Sequence, residues 1–364
     1  MDIKGKIVGI KYKVLLSDEL KSLTTIDFDI NQAPTAFILA DEKNNFSISK
    51  WVSPKRTRSY PYSRIYNTLN TSKKITIIPV VKDEGEDGDR DFIQWDTISL
   101  MSLLDVFVVL AYYSSAEKIK NKISKQTFDN SFILGKLKEI GQYHSSALHW
   151  NLNEINTQLH DVIDKVRYSY SKIQELTGVK LHKFDGIENF KNKIGADVSL
   201  FMQFSRDKAE RAQSREFVTT QPKENLSSFT KAKITITNFL GGQYFFTVDE
   251  ILMKDDTVNL IESKHSVKSI LPSRGDIKDG LLKMILYTNL TEVKVNGEKM
   301  NCKSVLKLTS PKIIGKITSD ATHENIENFI SENKLSVSNK KLLNVLFDEA
   351  KSNYFTVYIE QSRL

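Results

Sequence analysis

Alternating apolar and polar positions recur along the first quarter of the chain and predict strands there. Four such runs lie at residues 6–15, 36–39, 46–51 and 74–81. After them the spacing of apolar side chains predicts a helix over residues 97–113, with Asp96 as its N-cap. The first part of the chain is therefore expected to be rich in β-structure.

The apolar spacing changes to that of helices from about residue 114 to residue 217. Over residues 153–176 the apolar side chains form one stripe at helical spacing. That stripe can bury against its own domain or against a second copy of the chain. Near the end of the chain, the pattern predicts helices over residues 325–333 and 339–352 and a last strand over residues 354–360.

These changes of pattern predict a mixed α/β chain with several regions, and 364 residues are enough for more than one domain. The four expected regions are a β-rich basic region at 1–115, a mainly helical region at 116–227, a sheet with its helix at 228–320, and C-terminal helices and a strand at 321–364.

The most informative pattern lies over residues 244–265, where two strand-like runs flank the polar break Lys254-Asp255-Asp256-Thr257. A hairpin folded about the centre of this break pairs residues whose numbers sum to 511. Asp249 then lies opposite Glu262, and Lys264 shares the face of Glu262 because side chains alternate along a strand. Two directly opposed carboxylates repel each other, so a purely structural hairpin does not favour this arrangement.

A divalent cation would explain this set of side chains. Mg²⁺ prefers oxygen ligands and keeps several waters, so one or two acidic side chains are sufficient to hold it. A bound metal lowers the pKa of a water and polarises a phosphodiester. Lys264 can position that water, accept its proton if the lysine pKa falls, or stabilise charge on the phosphate. The sequence leaves these three roles open.

Asp249 followed by Glu262-Ser263-Lys264 resembles the PD-(D/E)xK motif of type II restriction endonucleases and related nucleases. Val248 stands where that family usually has proline, at a position that varies within it. The resemblance covers this hairpin and implies that Asp249 and Glu262 are metal ligands. It also implies that the carbonyl of Ser263 is a further ligand and that Lys264 is the catalytic lysine. The implied fold is a restriction-endonuclease-like catalytic sheet flanked by helices.

The same resemblance implies helices on either side of the motif. An upstream helix would supply one more acid, for which Glu216 is preferred over Glu210 and Glu224. Downstream, the pattern predicts a helix that starts near residue 276, capped by Ser273 or by Asp276. Lys283 on that helix is interpreted as solvated surface, with a position near the site as the alternative.

A basic stretch without any acidic residue runs over residues 43–82 and contains several aromatic side chains. Pro54 and Pro61 indicate that its densest part is an extended loop. Lysine and arginine neutralise phosphates, and arginine can also pair with guanine, so we interpret this region as a surface for double-stranded DNA. A solvated basic face is the alternative. The residues predicted to contact DNA are Lys50, Lys55, Arg56, Arg58 and Arg64, with Lys268 and Arg274 from the loop after the hairpin.

The composition and the absence of certain motifs exclude several classes of protein. The single cysteine excludes an internal disulfide framework and cysteine-based zinc sites, which favours a reducing cytoplasm. No GxxxxGK[ST] sequence is present, which argues against a P-loop ATPase. No apolar run approaches the ~20 residues of a membrane helix, so no membrane partner is expected. The acidic segment 83–91 is interpreted as a solvated loop; the alternatives are a second cation site and a partner for an arginine.

The residues and the resemblance together predict a Mg²⁺-dependent, sequence-specific double-stranded DNA endonuclease of the type II restriction kind. The family further suggests a homodimer and a companion DNA methyltransferase. Three alternatives stay open: a structure-directed repair or recombination nuclease, a non-catalytic DNA-binding protein, and a ribonuclease. The recognition sequence and the cut position are not encoded in any readable pattern.

Overall fold

The computed structural model describes residues 1–26, 28–40, 44–55, 61–194, 199–207, 211 and 232–362. The chain divides into two compact units, which we call the terminal unit (Met1–Asp18 with Lys208–Leu364) and the central unit (Glu19–Asp207). The predicted boundaries near residues 115 and 320 fall inside these units. The first strand, β1 (Asp2–Ile7), belongs to the terminal unit.

The central unit is built on a mixed five-stranded sheet. The strands of the central unit, in this sheet and in two smaller ones, are β2 (Ser22–Thr24), β3 (Ala36–Ala40), β4 (Asn45–Lys50), β5 (Lys73–Pro79), β6 (Val81–Asp83), β7 (Arg90–Phe92), β8 (Val106–Ala111), β9 (Tyr113–Ile119) and β10 (Lys122–Phe128). The large sheet has the order β2-β3-β4-β5-β8 and is parallel apart from the β3–β4 pair. β6 pairs with β7 and β9 with β10, both antiparallel.

Two helices of the central unit lie between its strands, and the others follow the last strand, β10. They are α1 (Pro61–Thr68), α2 (Trp95–Leu103), α3 (Asn130–Gly141), α4 (Ala147–Asn153), a π-helical turn (Glu154–Gln158), α5 (Leu159–Thr177), α6 (Asp185–Ile194) and α7 (199–207). The apolar stripe predicted over residues 153–176 is largely buried inside this unit, for example at Val162, Val166 and Tyr170.

Three predictions for the central unit are wrong. The helix predicted over residues 97–113 ends at Leu103, its N-cap is Gln94 instead of Asp96, and the rest of the span forms β8. All six residues of β8 are buried, and a continuous apolar run of this kind suits a strand covered on both faces. Residues after 114 begin with the β9–β10 hairpin and not with a helix.

The basic stretch is also not an extended loop throughout. Helix α1 begins at Pro61. Proline is tolerated there because the first turn of a helix leaves its N–H groups without intrahelical partners.

The terminal unit contains two five-stranded sheets. Besides β1, its strands are β11 (Ala232–Asn238), β12 (Gln243–Val248), β13 (Glu250–Lys254), β14 (Thr257–His265), β15 (Thr291–Val295), β16 (Glu298–Lys299), β17 (Asn301–Ser310), β18 (Lys316–Thr318) and β19 (Thr356–Gln361). One sheet has the order β12-β11-β1-β15-β16, and the other has the order β13-β14-β17-β19-β18. The mixed α/β class predicted from the sequence is confirmed.

Three helices of the terminal unit are α8 (Arg274–Tyr287), α9 (His323–Glu332) and α10 (Val337–Ser352). The last two, and the strand β19 that follows them, agree with the sequence pattern to within a few residues. Helix α8 starts at the Ser273 cap, whose hydroxyl accepts a hydrogen bond from the Asp276 N–H at 3.1 Å. It connects the parallel strands β14 and β17 and packs on both, with Leu281 and Ile285 fully buried.

Candidate active site

The hairpin formed by β13 and β14 has the predicted register. Glu250 pairs with Ile261 and Lys254 with Thr257, so the paired residue numbers sum to 511. The turn at the polar break is made possible by Asp255, whose φ of 52° lies in the left-handed region. The pairing follows from the alternation of apolar side chains and from the position of the break.

Asp249 occupies the single residue between β12 and β13, which belong to different sheets. The chain bends at this point, and the backbone leaves one sheet and enters the other. The Asp249 side chain is partly buried, and its Oδ2 accepts a hydrogen bond from the Ser263 N–H at 2.9 Å. The Ser263 N–H therefore holds the first acid of the motif against β14. Ser263 is the residue between Glu262 and Lys264 in the sequence.

Glu262 is the most deeply buried member of the site, with 1% of its side chain exposed. Its two oxygens are each held by a different lysine. Oε1 lies 3.0 Å from Lys264 Nζ and Oε2 lies 2.8 Å from Lys283 Nζ. An ionised carboxylate has about four lone-pair positions, so these two contacts leave Glu262 with acceptor capacity for a cation.

Helix α8 supplies two side chains that the motif does not include. Asp279 Oδ2 accepts a hydrogen bond from Lys264 Nζ at 2.9 Å, and Lys283 follows one helical turn later. The interpretation of Lys283 as solvated surface is wrong, because only 18% of its side chain is exposed. Their i, i+4 spacing places both residues on one face of the helix, but no pattern in the sequence assigns that face to the site.

Gly280 allows this close approach of α8 to the sheet. A Cβ at position 280 would lie 2.7 Å from Leu306 Cδ1 and 3.2 Å from Lys264 Cε. A larger residue would force the Leu306 and Lys264 side chains, or the helix itself, to move. The absent side chain therefore helps to bring Asp279 and Lys283 to Glu262.

The electrostatics of the cluster leave Asp249 as its least compensated carboxylate. Burial and the neighbouring charge of Glu262 raise the pKa of Asp249 to about 6. Burial alone would raise the pKa of Glu262, but the charges of Lys283 and Lys264 outweigh it and the pKa is lowered. Burial opposes the charged form of Lys264, yet Glu262 and Asp279 raise its pKa above the ordinary value. Both site lysines are ammonium groups at neutral pH in this arrangement.

A second ion cluster lies on the opposite face of the same sheet. Glu250 and Glu360 both contact Lys307 Nζ, at 3.1 Å and 2.9 Å. The hydroxyl of Ser263 donates to Glu250 at 3.1 Å. Because Ser263 separates Glu262 from Lys264, its side chain points away from theirs. The two faces therefore divide the nearby charges into two separate groups.

The donor set of the first cluster fits a divalent cation of the Mg²⁺ type. Asp249 and Glu262 are neighbouring carboxylates, and no lysine in the described part of the chain forms an ion pair with Asp249. One or two carboxylates are sufficient for Mg²⁺, which keeps waters in its remaining positions. Among the residues that the structure describes, no group of three or more metal-binding side chains is found. The fit therefore rests on the two carboxylates.

Several of the other predicted site residues lie outside the described part of the chain. Glu216, its alternatives Glu210 and Glu224, and the predicted DNA contacts Arg56 and Arg58 lie outside the described residues. The structure therefore does not test them.

Lys50 and Arg64 are used inside the central unit. Lys50 Nζ donates to the carbonyl of Ile30 at 2.6 Å, and Arg64 Nη1 donates to the carbonyl of Lys50 at 2.8 Å. Burial lowers the pKa of both side chains. They hold the backbone around β4 instead of lying free on the surface.

The remaining predicted DNA contacts are exposed. Lys55 lies in the central unit, and Lys268 and Arg274 lie in the terminal unit. Arg274 pairs with Asp18 at 3.0 Å, which reduces its availability to a phosphate.

The acidic segment 83–91 is solvated in part, since Glu86, Asp87 and Asp89 are exposed. Asp83 is buried, with 2% of its side chain exposed, and it contacts His182 Nδ1 at 2.8 Å and the Gly85 N–H at 2.8 Å. Glu86 pairs with Lys180 at 2.9 Å. The segment is thus tied to residues 180–182 of the same unit by side-chain contacts.

No helix within the described part of the chain has both the length and the apolar character needed to cross a membrane. Comparisons with protein-family models, with curated proteins and with solved structures found no match to this chain.

Proposed function

We propose that the chain is a Mg²⁺-dependent endonuclease that hydrolyses phosphodiester bonds in double-stranded DNA. The observation that carries the proposal is the cluster in which Lys264 and Lys283 hold Glu262, the Ser263 N–H holds Asp249, and the charge of Glu262 raises the Asp249 pKa. Asp249 and Glu262 would hold the cation, which when bound polarises the phosphate and lowers the pKa of a water.

Each side chain has a distinct role in this proposal. Asp249 offers the carboxylate oxygen that the Ser263 N–H leaves free. Lys264 remains charged because Glu262 and Asp279 raise its pKa, so it stabilises charge on the phosphate instead of accepting a proton. Lys283 holds the second oxygen of Glu262 and fixes the orientation of that carboxylate. Asp279 positions Lys264 from the side of helix α8.

The finer description follows the resemblance to PD-(D/E)xK nucleases. A restriction-endonuclease-like core is supported by the order β13-β14-β17-β19 and by helix α8 behind it. Sequence-specific cleavage, a homodimer that cuts both strands, a companion DNA methyltransferase and a cytoplasmic location belong to the same proposal. Lys55 and Lys268 are the exposed residues offered as phosphate contacts, together with Arg274.

Cleavage of long double-stranded DNA of known sequence tests the proposal. The purified protein is incubated with Mg²⁺ or with EDTA, and the products are separated and their ends sequenced. Discrete Mg²⁺-dependent fragments that share one end sequence are expected. A Mg²⁺-dependent smear would instead favour a structure-directed or non-specific nuclease. Binding that is unchanged by EDTA, without cleavage of DNA or RNA, would overturn the assignment in favour of a non-catalytic DNA-binding protein.

A further inference from the structure

A cavity of about 680 Å³ lies in the central unit, beside the β9–β10 hairpin and the acidic segment 83–91. Its volume is within the range of pockets that take small organic ligands. It does not include any residue of the Asp249 cluster, which belongs to the terminal unit. The proposed hydrolysis at the Asp249 cluster therefore does not explain this cavity.

The cavity is preformed because the hairpin is fixed to the loop beside it. The Ile123 N–H donates to the carbonyl of Glu84 at 3.1 Å, and Gln126 Nε2 donates to the carbonyl of Asp83 at 2.6 Å. The hairpin turn places Lys120 in the left-handed region, with φ of 57°. A ligand would not have to order these elements, so less conformational entropy is lost on binding.

One part of the lining is apolar and accessible. Ile119 has 47% of its surface exposed and Val52 has 37%, although both are large apolar side chains. Water contact with such surface is unfavourable, and a flat apolar group in the cavity would remove it. The cavity wall is therefore suited to an apolar group, such as the face of an aromatic ring.

The other part of the lining carries positive charge. Lys82 and Lys125 are paired with Glu84 at 2.9 Å and with Glu117 at 2.8 Å. Lys120 and Lys122 also line the cavity, and neither forms an ion pair with any residue within the described ranges. Four lysines and the two carboxylates Glu84 and Asp87 line the cavity, so positive charge is in surplus by two, which favours an anion.

We propose that this cavity binds a nucleotide, with the base against Ile119 and Val52 and the phosphate at Lys120 and Lys122. The ligand class combines the two properties of the lining: a planar apolar ring and a compact anion. The nucleotide can be free in solution or the terminal residue of a nucleic-acid strand. This inference does not rest on the proposed hydrolysis at Asp249.

Calorimetric titration of the full chain with deoxyadenosine monophosphate tests the proposal, with deoxyadenosine and inorganic phosphate as partial ligands. The monophosphate is expected to bind at least about tenfold more tightly than either part, since each ~1.4 kcal/mol is a factor of ten in affinity. Equal affinity for deoxyadenosine and its monophosphate would overturn the phosphate assignment. Absence of binding for all of these probes and for the oligonucleotides below would overturn the proposal as a whole.

Charge reversal supplies a matched comparison on the same hairpin. The variant Lys122→Glu is expected to lose at least about tenfold in affinity for the monophosphate. Lys118→Glu is the control, because Lys118 is exposed on β9 but does not line the cavity. An equal loss in the control would mean that the effect is one of overall charge. Thermal unfolding of both variants checks that the hairpin is retained.

Two further arms complete the test. Ile119→Ser should weaken the monophosphate but leave ribose 5-phosphate unchanged; equal loss for both would contradict the base position. Single-stranded oligonucleotides with a 5′-phosphate or a 5′-hydroxyl distinguish a free nucleotide from a strand end. Asp249→Asn should bind the monophosphate as the wild type does, so that failure of cleavage and failure of this pocket can be observed separately.

Discussion

Glu262 in the terminal unit and Glu154 in the central unit are both buried carboxylates that face a lysine, yet the protein satisfies them differently. Both oxygens of Glu262 accept contacts, at 3.0 Å from Lys264 and 2.8 Å from Lys283. Glu154 Oε1 lies 3.0 Å from Lys136, whereas its Oε2 is buried without a hydrogen-bond partner among the described residues.

The pKa values of the two carboxylates therefore move in opposite directions. Burial raises the pKa of Glu154, and the single lysine beside it is not sufficient to reverse this effect. Burial acts on Glu262 in the same sense, but two lysines outweigh it and lower the pKa. The number of cations within hydrogen-bonding distance decides the direction.

The net charge of the two clusters does not distinguish them, but the position of the surplus carboxylate does. In the central unit, Lys136 also pairs with Glu139, of which 56% is exposed and which water can screen. In the terminal unit the surplus carboxylate is Asp249, which is partly buried and has a pKa raised to about 6. A surplus charge held away from water favours a cation, so of these two clusters a metal is expected only at the one that contains Asp249.

The largest expected effect is the loss of cleavage in Asp249→Asn. The substitution keeps the shape of the side chain but removes the charge that would hold Mg²⁺, a contribution of several kcal/mol or about 10³-fold in rate. Initial rates of DNA cleavage measure it. Glu250→Gln is the matched control, because Glu250 is the next residue and contacts Lys307 on the other face. Glu154→Gln should likewise leave the rate per folded molecule unchanged. Comparable losses in all three variants would remove the distinction between the clusters.

The next largest effect is expected on stability in Lys136→Met. Removing the lysine strands the buried Glu154 charge, which costs about 3–5 kcal/mol. The pKa of Glu154 in the folded state rises further, so the folded state binds more protons than the unfolded state. Stability of the variant therefore falls as pH increases above the ordinary glutamate pKa. Denaturant unfolding at pH 5 and pH 8 measures this difference.

Lys283→Met is the counterpart in the terminal unit. Lys264 still pairs with Glu262 in that variant, so a smaller loss of about 1–3 kcal/mol is expected. A loss equal to or larger than that of Lys136→Met would show that Lys264 does not compensate Glu262 alone.

An intermediate effect on stability is expected when one glycine in each unit is replaced by alanine. Gly280→Ala places a methyl group against Leu306 and Lys264, and overpacking of this kind costs about 1–3 kcal/mol. Gly135→Ala in α3 meets no atom within 4 Å and should stabilise by about 0.5–1 kcal/mol. Unfolding free energies of both variants test this. If Gly280→Ala is as harmless as Gly135→Ala, helix α8 is not held close by the missing side chain.

The smallest effect is expected in Tyr287→Phe. The Tyr287 hydroxyl is buried without a hydrogen-bond partner in the described structure, so its removal should be nearly neutral. Tyr170→Phe is the opposite case in the central unit. Its hydroxyl accepts from the Asp83 N–H at 2.9 Å and donates to Gln126 at 2.8 Å. Loss of both bonds should cost about 1–3 kcal/mol in unfolding free energy. A large loss in Tyr287→Phe would indicate a partner for that hydroxyl.

The sequence by itself determined the β13–β14 hairpin and the face on which the motif residues lie. Side chains alternate strictly along a strand, so one polar break and two apolar runs were enough to fix the register. The Ser273 cap and the two C-terminal helices were also predicted, because the residues that mark the ends and the apolar face of a helix are close together in the sequence.

Only the tertiary structure decided which side chains join the motif and which leave the surface. Lys283 and Asp279 reach the site because α8 packs closely on β14 and β17 across Gly280, an approach that no local pattern encodes. Residues 106–111 became a strand because both faces are covered, which depends on the whole sheet. Lys50 and Arg64 donate hydrogen bonds to backbone carbonyl groups, those of Ile30 and Lys50, instead of extending into solvent. Contacts between residues distant in sequence determined these outcomes, and a single sequence carries no direct signal for them.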